Sequence, residues 1–371
     1  MNYIKIAWRN LWRNKRRTLI TVSSILFAVF FVIVMRSLEL GTYNLMINNT
    51  IASYMGFLQV QNKDYLDDPT LDNSFSCSDN LLNKLSAIEG IKAVVPRIES
   101  FTLASTGMQT KGVVVIGVDP LREKDLSNPE GKIVKYKITP DALEKLKSEN
   151  ISSDVLSKIK GLINNSYINL TAIQADLKLD KEQAQKYMPL FSEYFAYHGR
   201  MFSDDENAVL ISDRLARFLK IAVDDTVILM GQGYHGVNAA GTFAVKGIIK
   251  IPAPDLDNKL IYMPLKTAQE FFSMPGQITS VSINLLDNSE KGMKEARQKV
   301  MSYLDEQKMV VKTWKEFNEV LFQQIQSDNQ SGQIIIGFLY LIVFFGIFGT
   351  VLMMIHERKH EFGILISIGM R

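Results

Sequence analysis

The chain of 371 residues contains a single cysteine, Cys77, so it can form no internal disulfide, and Cys77 lies too far from the N-terminus to be a lipid-attachment cysteine. It has no Gly-x-x-x-x-Gly-Lys-Ser/Thr, which excludes a phosphate-binding loop of its own and leaves any nucleotide chemistry to a partner. A net charge of +3, scattered through the middle of the chain, is too small for nucleic acid to be the main partner. There is no solenoid-type repeat and no low-complexity tract.

What is present is segregated. The chain is 47% hydrophobic, high for a wholly soluble protein, and the excess sits in two blocks, Thr18 to Met35 and Ile334 to Ile355. At about 1.5 Å per helical residue these span roughly 27 and 33 Å, close to the roughly 30 Å hydrocarbon core of a bilayer. Lys5, Arg9, Arg13, Lys15, Arg16 and Arg17 precede the first block without an acidic residue, whereas Arg36 and Glu39 follow it. The positive-inside rule therefore puts both termini in the cytoplasm. A cleaved signal peptide fits poorly, because the apolar stretch is long and no small-x-small site follows.

Residues 3 to 14 set Ile4, Ala7, Trp8, Leu11 and Trp12 at helical spacing against Arg9, Arg13 and Lys15. This predicts an interfacial helix with Trp8 and Trp12 at headgroup depth and Arg9 and Arg13 toward anionic lipid, rather than a cytosolic helix packed on protein. The expected organisation is an interfacial helix over 1–17, membrane helices over 18–37 and 334–355, an extracytoplasmic domain over 38–333, and a cytoplasmic segment over 356–371. The fold class expected outside is α/β, with strands at Phe57 to Gln61, Ala93 to Ile98, Gly112 to Val118, Ala208 to Ser212, Thr226 to Met230, Thr242 to Ile249, Leu260 to Met263 and Ile278 to Leu286. Between about 121 and 200 the pattern turns polar and helical, predicting an inserted helical subdomain. Ser78 and Gly90 mark the ends of one helix, Ser289 to Gln307 forms another, and a helix from Trp314 to Ser327 can run on into the second crossing.

Two motifs invite a catalytic reading. Gly231-Gln-Gly233-Tyr-His-Gly236 follows a strand, but a dinucleotide site needs a helix next, and Val237 to Phe243 leads into another strand, which predicts a hairpin. His356-Glu357-Arg358-Lys359-His360 matches the zinc-hydrolase signature His-Glu-x-x-His. Catalytic zinc generally requires three protein ligands, yet the eight residues after Gly363 hold no His, Asp, Glu or Cys. No catalytic residue and no metal ligand are therefore assigned.

A second template explains more residues. Glu357-Arg358-x-x-Glu361-Phe362-Gly363-Ile364 with Ile368-Gly369 resembles the cytoplasmic segment after the second membrane helix in the FtsX-like permease family of ABC transporters. Ala7-Trp8-Arg9-Asn10-Leu11-Trp12-Arg13 resembles that family's start, and Val95-Pro96-Arg97, Val115-Ile116-Gly117-Val118-Asp119-Pro120, Gly199-Arg200-Met201-Phe202 and Val209-Leu210-Ile211-Ser212 resemble its extracytoplasmic domain in order and spacing. Gly41-Thr42-Tyr43, the strand from Gly56 to Gln61 and Asp64 to Pro69 look closer to the lipoprotein-releasing LolC/LolE-like branch than to the MacB-like efflux branch. The family has four membrane helices, so the chain resembles the N-terminal part of a permease.

The resemblance implies a non-catalytic permease of the bacterial inner membrane with no cofactor of its own, ATP being bound by a cytoplasmic ATPase dimer. That dimer is expected to receive Glu357, Arg358, Glu361, Phe362, Gly363 and Gly369, with Phe362 as a buried anchor and the glycines allowing close approach or a turn. Other implied partners are a second permease copy or paralogue, membrane lipid, and a lipoprotein cargo or periplasmic protein. Phe338, Leu341, Phe344, Phe345 and Phe348 are candidate cargo contacts, with lipid contact the plainer role for each. The rivals are a MacB-like efflux permease, a two-helix transmembrane sensor, for which 357–371 offers no output module, and a membrane zinc protease.

Overall fold

The structure, a computed structural model, describes residues 5, 8, 12, 15–65, 67–149 and 151–369. Two compact units emerge: Met1–Met46 with Asn318–Arg371, and Ile47–Phe317. The chain enters through α1 (Lys15–Ile47), an uninterrupted helix of 33 residues, and winds on as a π-helix over Asn48–Met55.

The second unit then runs β1 (Leu58–Asn62), β2 (Phe75–Ser76), α2 (Asp79–Ser86), β3 (Ile91–Ser105), β4 (Thr110–Val118), α3 (Pro120–Glu123), β5 (Tyr136–Lys137), α4 (Pro140–Lys147), α5 (Ser153–Gly161), β6 (Ser166–Tyr167), α6 (Leu170–Leu177) and α7 (Lys181–Tyr194). It continues through β7 (Ala208–Ser212), α8 (Asp213–Leu219), β8 (Thr226–Gln232), β9 (Asn238–Ile249), β10 (Leu260–Pro264), α9 (Leu265–Phe271), β11 (Gln277–Ile278), β12 (Ser280–Leu285), α10 (Glu290–Met301), β13 (Met309–Thr313) and α11 (Trp314–Phe317). The first unit resumes with α12 (Glu319–Glu357) and α13 (Lys359–Ser367). The fold is thus a mixed α/β body flanked by two long apolar helices, each long and apolar enough to cross a membrane.

Nine strands form the main sheet in the order β13-β1-β12-β3-β4-β10-β7-β9-β8. The long β3 belongs to two structures. Its first half pairs with β12, while Thr102–Ser105 pair with β8, closing six strands into a barrel and leaving β12, β1 and β13 as an open wing. The run Val113 to Ile116 suits its place in β4, beside parallel β10, where Val115, Ile116, Leu260 and Ile261 are all fully buried. Burying each such side chain contributes about 1.5–3 kcal/mol. At the wing's free edge, two backbone donors of β13 are already engaged: Met309 donates to the Asp305 carbonyl at 2.9 Å and Thr313 to Glu316 Oε2 at 2.7 Å.

Several expectations hold closely. Ser78 caps α2 by accepting from the Leu81 amide, Gly90 takes a left-handed φ of 93°, and β8 and β9 form the hairpin around Gly233 and Gly236. Others shift. The apolar runs 18–37 and 334–355 are only parts of longer helices: in α1, Glu39, Thr42 and Asn44 interrupt the hydrophobicity without breaking the helix, and α12 begins at Glu319, well before its apolar run, rather than continuing unbroken from Trp314. The insertion is smaller than 121–200: its own core runs from Ile138 to Phe195, whereas Leu126 packs on Ala93 and Val95 of the main body and Ile133 on a second main-body cluster. Strand β13 and the barrel closure were not legible in the sequence.

Candidate functional site

Where the first long helix meets the body, its last carbonyls need partners, since a helix terminus leaves its final C=O groups unsatisfied. Here the accounting is nearly complete. Ile51 C=O accepts from the Gly56 amide at 2.7 Å, Ala52 C=O from Asn284 Nδ2 at 3.1 Å, Ser53 C=O from Lys132 Nζ at 2.8 Å, and Met55 C=O from Gln59 Nε2 at 3.4 Å. Gly56 then turns the chain into β1 with φ 80°, and a Cβ there would lie 2.7 Å from the Ile283 carbonyl oxygen, so only glycine fits. Eight consecutive π-helical residues are rare and usually mark functional positions.

Beneath this root lies a buried charged cluster. Arg97, projecting from the first half of β3, is fully buried and makes a two-pronged contact with Glu123 at the end of α3: its Nε donates to Oε2 at 3.1 Å and its Nη2 to Oε1. The guanidinium also lies 5.5 Å from the centre of the Tyr54 ring, and its Nη1 sits 3.7 Å from Glu99 Oε1. Burial opposes the charge on Arg97, but Glu123, Tyr262 and Glu99 together outweigh it and push the guanidinium pKa up. Burial pushes the Lys132 amine down to about 8, with Glu123 pulling it back up and Arg97 driving it further down. Tyr262, packed edge-on against Tyr54, is pushed up mainly by burial.

The second root is built differently. β1 pairs with β13 so that Leu58 faces Thr313, which places the start of β1 beside the end of β13. Trp314 is buried and its amide donates to the Phe57 carbonyl at 2.9 Å. The charges around it are half-exposed: Arg297 pairs with Glu316 at 3.3 Å and Lys315 with Glu290.

Within the unit of long helices, α1 and α12 are clasped by polar groups. Arg36 Nη1 donates to Glu39 Oε2 at 2.8 Å and across to Asn329 Oδ1 at 2.7 Å, while the Tyr43 hydroxyl donates to Glu39 Oε1 at 2.7 Å. Gly332 makes room for this, since a Cβ there would lie 2.8 Å from Glu39 Oε1. An apolar groove of about 370 Å³ lies between the same helices, lined by residues that include Phe31, Met35, Leu38, Ile335 and Leu339.

The residues singled out from sequence fall as follows. Trp8 and Trp12 are exposed with rings 6.1 Å apart, whereas Arg9 and Arg13 lie outside the described residues. Phe338, Leu341, Phe344, Phe345 and Phe348 are exposed on α12, and none of them lines the groove. Glu357 ends α12, Arg358 (φ −96°, ψ 5°) forms the corner, and Gly363 lies inside α13. The side chains of Glu361 and Phe362 lie outside the described residues. Gly369 supplies the expected turn, with φ 86° and its amide donating to the Ile366 carbonyl at 3.0 Å. Ile364, Ile366 and Ile368 are exposed. His356 and His360 fall on opposite sides of the Arg358 corner, on different helices, so the one-helix register that the zinc signature needs is broken. Among the described residues, no three His, Cys, Asp or Glu side chains gather into a metal-holding group.

Sequence reasoning missed Gly56, Glu123, Lys132 and Asn284. The one available signal was Arg97 inside the apolar run Val94 to Ile98, a charge that a strand buries only with a partner.

No known protein family's sequence profile matches the chain. Among solved structures, the extracellular domain of the noncanonic ABC-type transporter YknZ from Gram-positive bacteria aligns with 70% of this chain and 100% of its own, at 14% identity and a TM-score of 0.37. The periplasmic region of MacB from Actinobacillus actinomycetemcomitans aligns with 76% of this chain and 95% of its own, at 12% identity and a TM-score of 0.37. Overlaps this loose carry no weight for function.

Proposed function

We propose that this chain is a permease part of an ATP-driven ABC transporter, working by mechanical transmission rather than by its own catalysis. The observation that carries the reading is architectural: the two long apolar helices join the α/β body through β1 and β13, paired neighbours, so a shift of either helix reaches the same wing of the sheet. The corner at Arg358 and the exposed isoleucines of α13 supply the other end, a short segment suited to a groove on a cytoplasmic ATPase dimer. The family resemblance of Glu357 to Gly369 supports the same partner.

For cargo we favour a lipoprotein of the inner membrane, released toward the periplasm, over an efflux substrate. The groove between α1 and α12 has the apolar lining and size to take part of an acyl chain, with the Arg36–Glu39–Asn329 clasp near one end. A second permease copy or paralogue completes the assembly.

The test is capture of a phosphate-loop ATPase from the membranes of the host cell by the tagged full chain in detergent. Wild type is expected to retain the ATPase, and Ile364→Asp with Glu357→Lys to weaken retention at least about tenfold. Failure of wild type to bind any such ATPase sinks the proposal.

A further inference from the structure

Lys132 occupies a crossroads. Its side chain holds the Ser53 carbonyl at the root of the first long helix, while its backbone begins the stem of the helical insertion. The Lys132 carbonyl accepts from the Lys250 amide at 2.9 Å, and the Val134 amide donates to the Ile248 carbonyl at 2.8 Å, so the stem lies along the end of β9. One step on, the Lys135 amide donates to the Tyr167 carbonyl at 2.9 Å and its carbonyl accepts from Tyr197 at 2.8 Å, and β5 pairs with β6. Lys250 Nζ ties the same stem to the Ser166 carbonyl at 2.6 Å. From Ser53 to the insertion's first helix, every link is a hydrogen bond or the chain itself.

Other side chains at the root lack this connection. Asn284 holds the Ala52 carbonyl from β12, and Gln59 holds Met55 from β1; among the described residues, neither hydrogen bond reaches the insertion's stem. A partly buried amine is a costly way to cap one carbonyl, because desolvation penalises its charge. An amide would cap the carbonyl at less cost.

We propose that Lys132 is a positioning residue that yokes the root of the first long helix to the helical insertion, so that the insertion moves as an arm when that root moves. What drives the root rests on the transporter reading; the yoke does not. The insertion's four helices, with a core of their own, then have the rigidity an arm requires.

The experiment is hydrogen exchange by mass spectrometry on the full chain in detergent, with no ATPase present, so that failure to find an ATPase partner and failure of the yoke remain separate results. Lys132→Met is expected to lower protection about tenfold both in the root (48–56) and in the stem (133–138 and 166–167), leaving β3 and β4 unchanged as the control for folding. Asn284→Ala is expected to loosen the root alone, and Lys132→Arg to restore protection in both segments. The yoke is overturned if Lys132→Met leaves the root as protected as wild type, or if Asn284→Ala loosens the stem as much as Lys132→Met does, since either pattern is what a bystander lysine in a generally loosened body gives. Should Lys132→Met fail to fold, Lys132→Gln carries the same comparison, with simultaneous partial loss in both segments expected and wild-type protection in both overturning the proposal.

Discussion

The two places where a long helix joins the body solve one problem by opposite means. At the first root, buried groups do the holding: a left-handed glycine, a lysine and an asparagine on terminal carbonyls, and beneath them a fully buried Arg97–Glu123 pair. The second root relies on a strand pairing, one buried tryptophan and ion pairs that water reaches. Buried charge is intolerant of losing a partner, whereas exposed charge is worth little and is screened by salt. The first junction therefore has more to lose from the removal of one charged partner than the second.

The largest effect expected from breaking this contrast is at Arg97. Replacing it with methionine strands Glu123 in a dry site and is expected to cost about 3–5 kcal/mol in denaturant unfolding, while Arg97→Met combined with Glu123→Leu recovers most of the loss. Recovery distinguishes an unpaired charge from a simple packing defect. Next comes Gly56→Ala, which forces a Cβ against the Ile283 carbonyl at a left-handed φ; a cost of about 3 kcal/mol is expected, and a loss under about 1 kcal/mol would mean that the corner relaxes freely.

A subtler contrast lies in pH. The folded state holds the Lys132 amine near 8 against an ordinary value of 10.5. Between those values the unfolded chain keeps a proton that the folded chain has released, so stability rises with pH across the window. Lys132→Met is expected to flatten that rise, measured as unfolding midpoints in otherwise identical buffers. The smallest effect belongs to the second root: Arg297→Gln is expected to cost under about 1 kcal/mol, and raising salt to about 1 M to erase even that. A large, salt-insensitive loss there would abolish the contrast.

How much of this was open to a reader of the sequence depends on whether the controlling interaction is local. The apolar runs, the Ser78 cap, the helical character of the insertion and the hairpin at Gly233 were legible because periodicity and turn chemistry act over a few residues. The length of the long helices was not, since Glu39 and Asn44 stop the hydrophobic pattern while the backbone winds on through Met55. The roots were less legible still: Lys132 meets Ser53 across 79 residues and Asn284 meets Ala52 across 232, and nothing in either neighbourhood announces the other. The segment after Arg358 was expected to dock on a partner because of its resemblance; the short helix it forms, and the corner that parts His356 from His360, follow from backbone angles the motif does not encode.

The occupied donors along β13 bear on life at high density. Proteins confined to a sheet of lipid collide in two dimensions far more often than they do in bulk water, and an open strand margin would let neighbouring copies stitch together into fibres. With Met309 and Thr313 already spoken for by Asp305 and Glu316, two of the donors along that margin are withheld from a passing copy, which makes edge-to-edge pairing there less favourable.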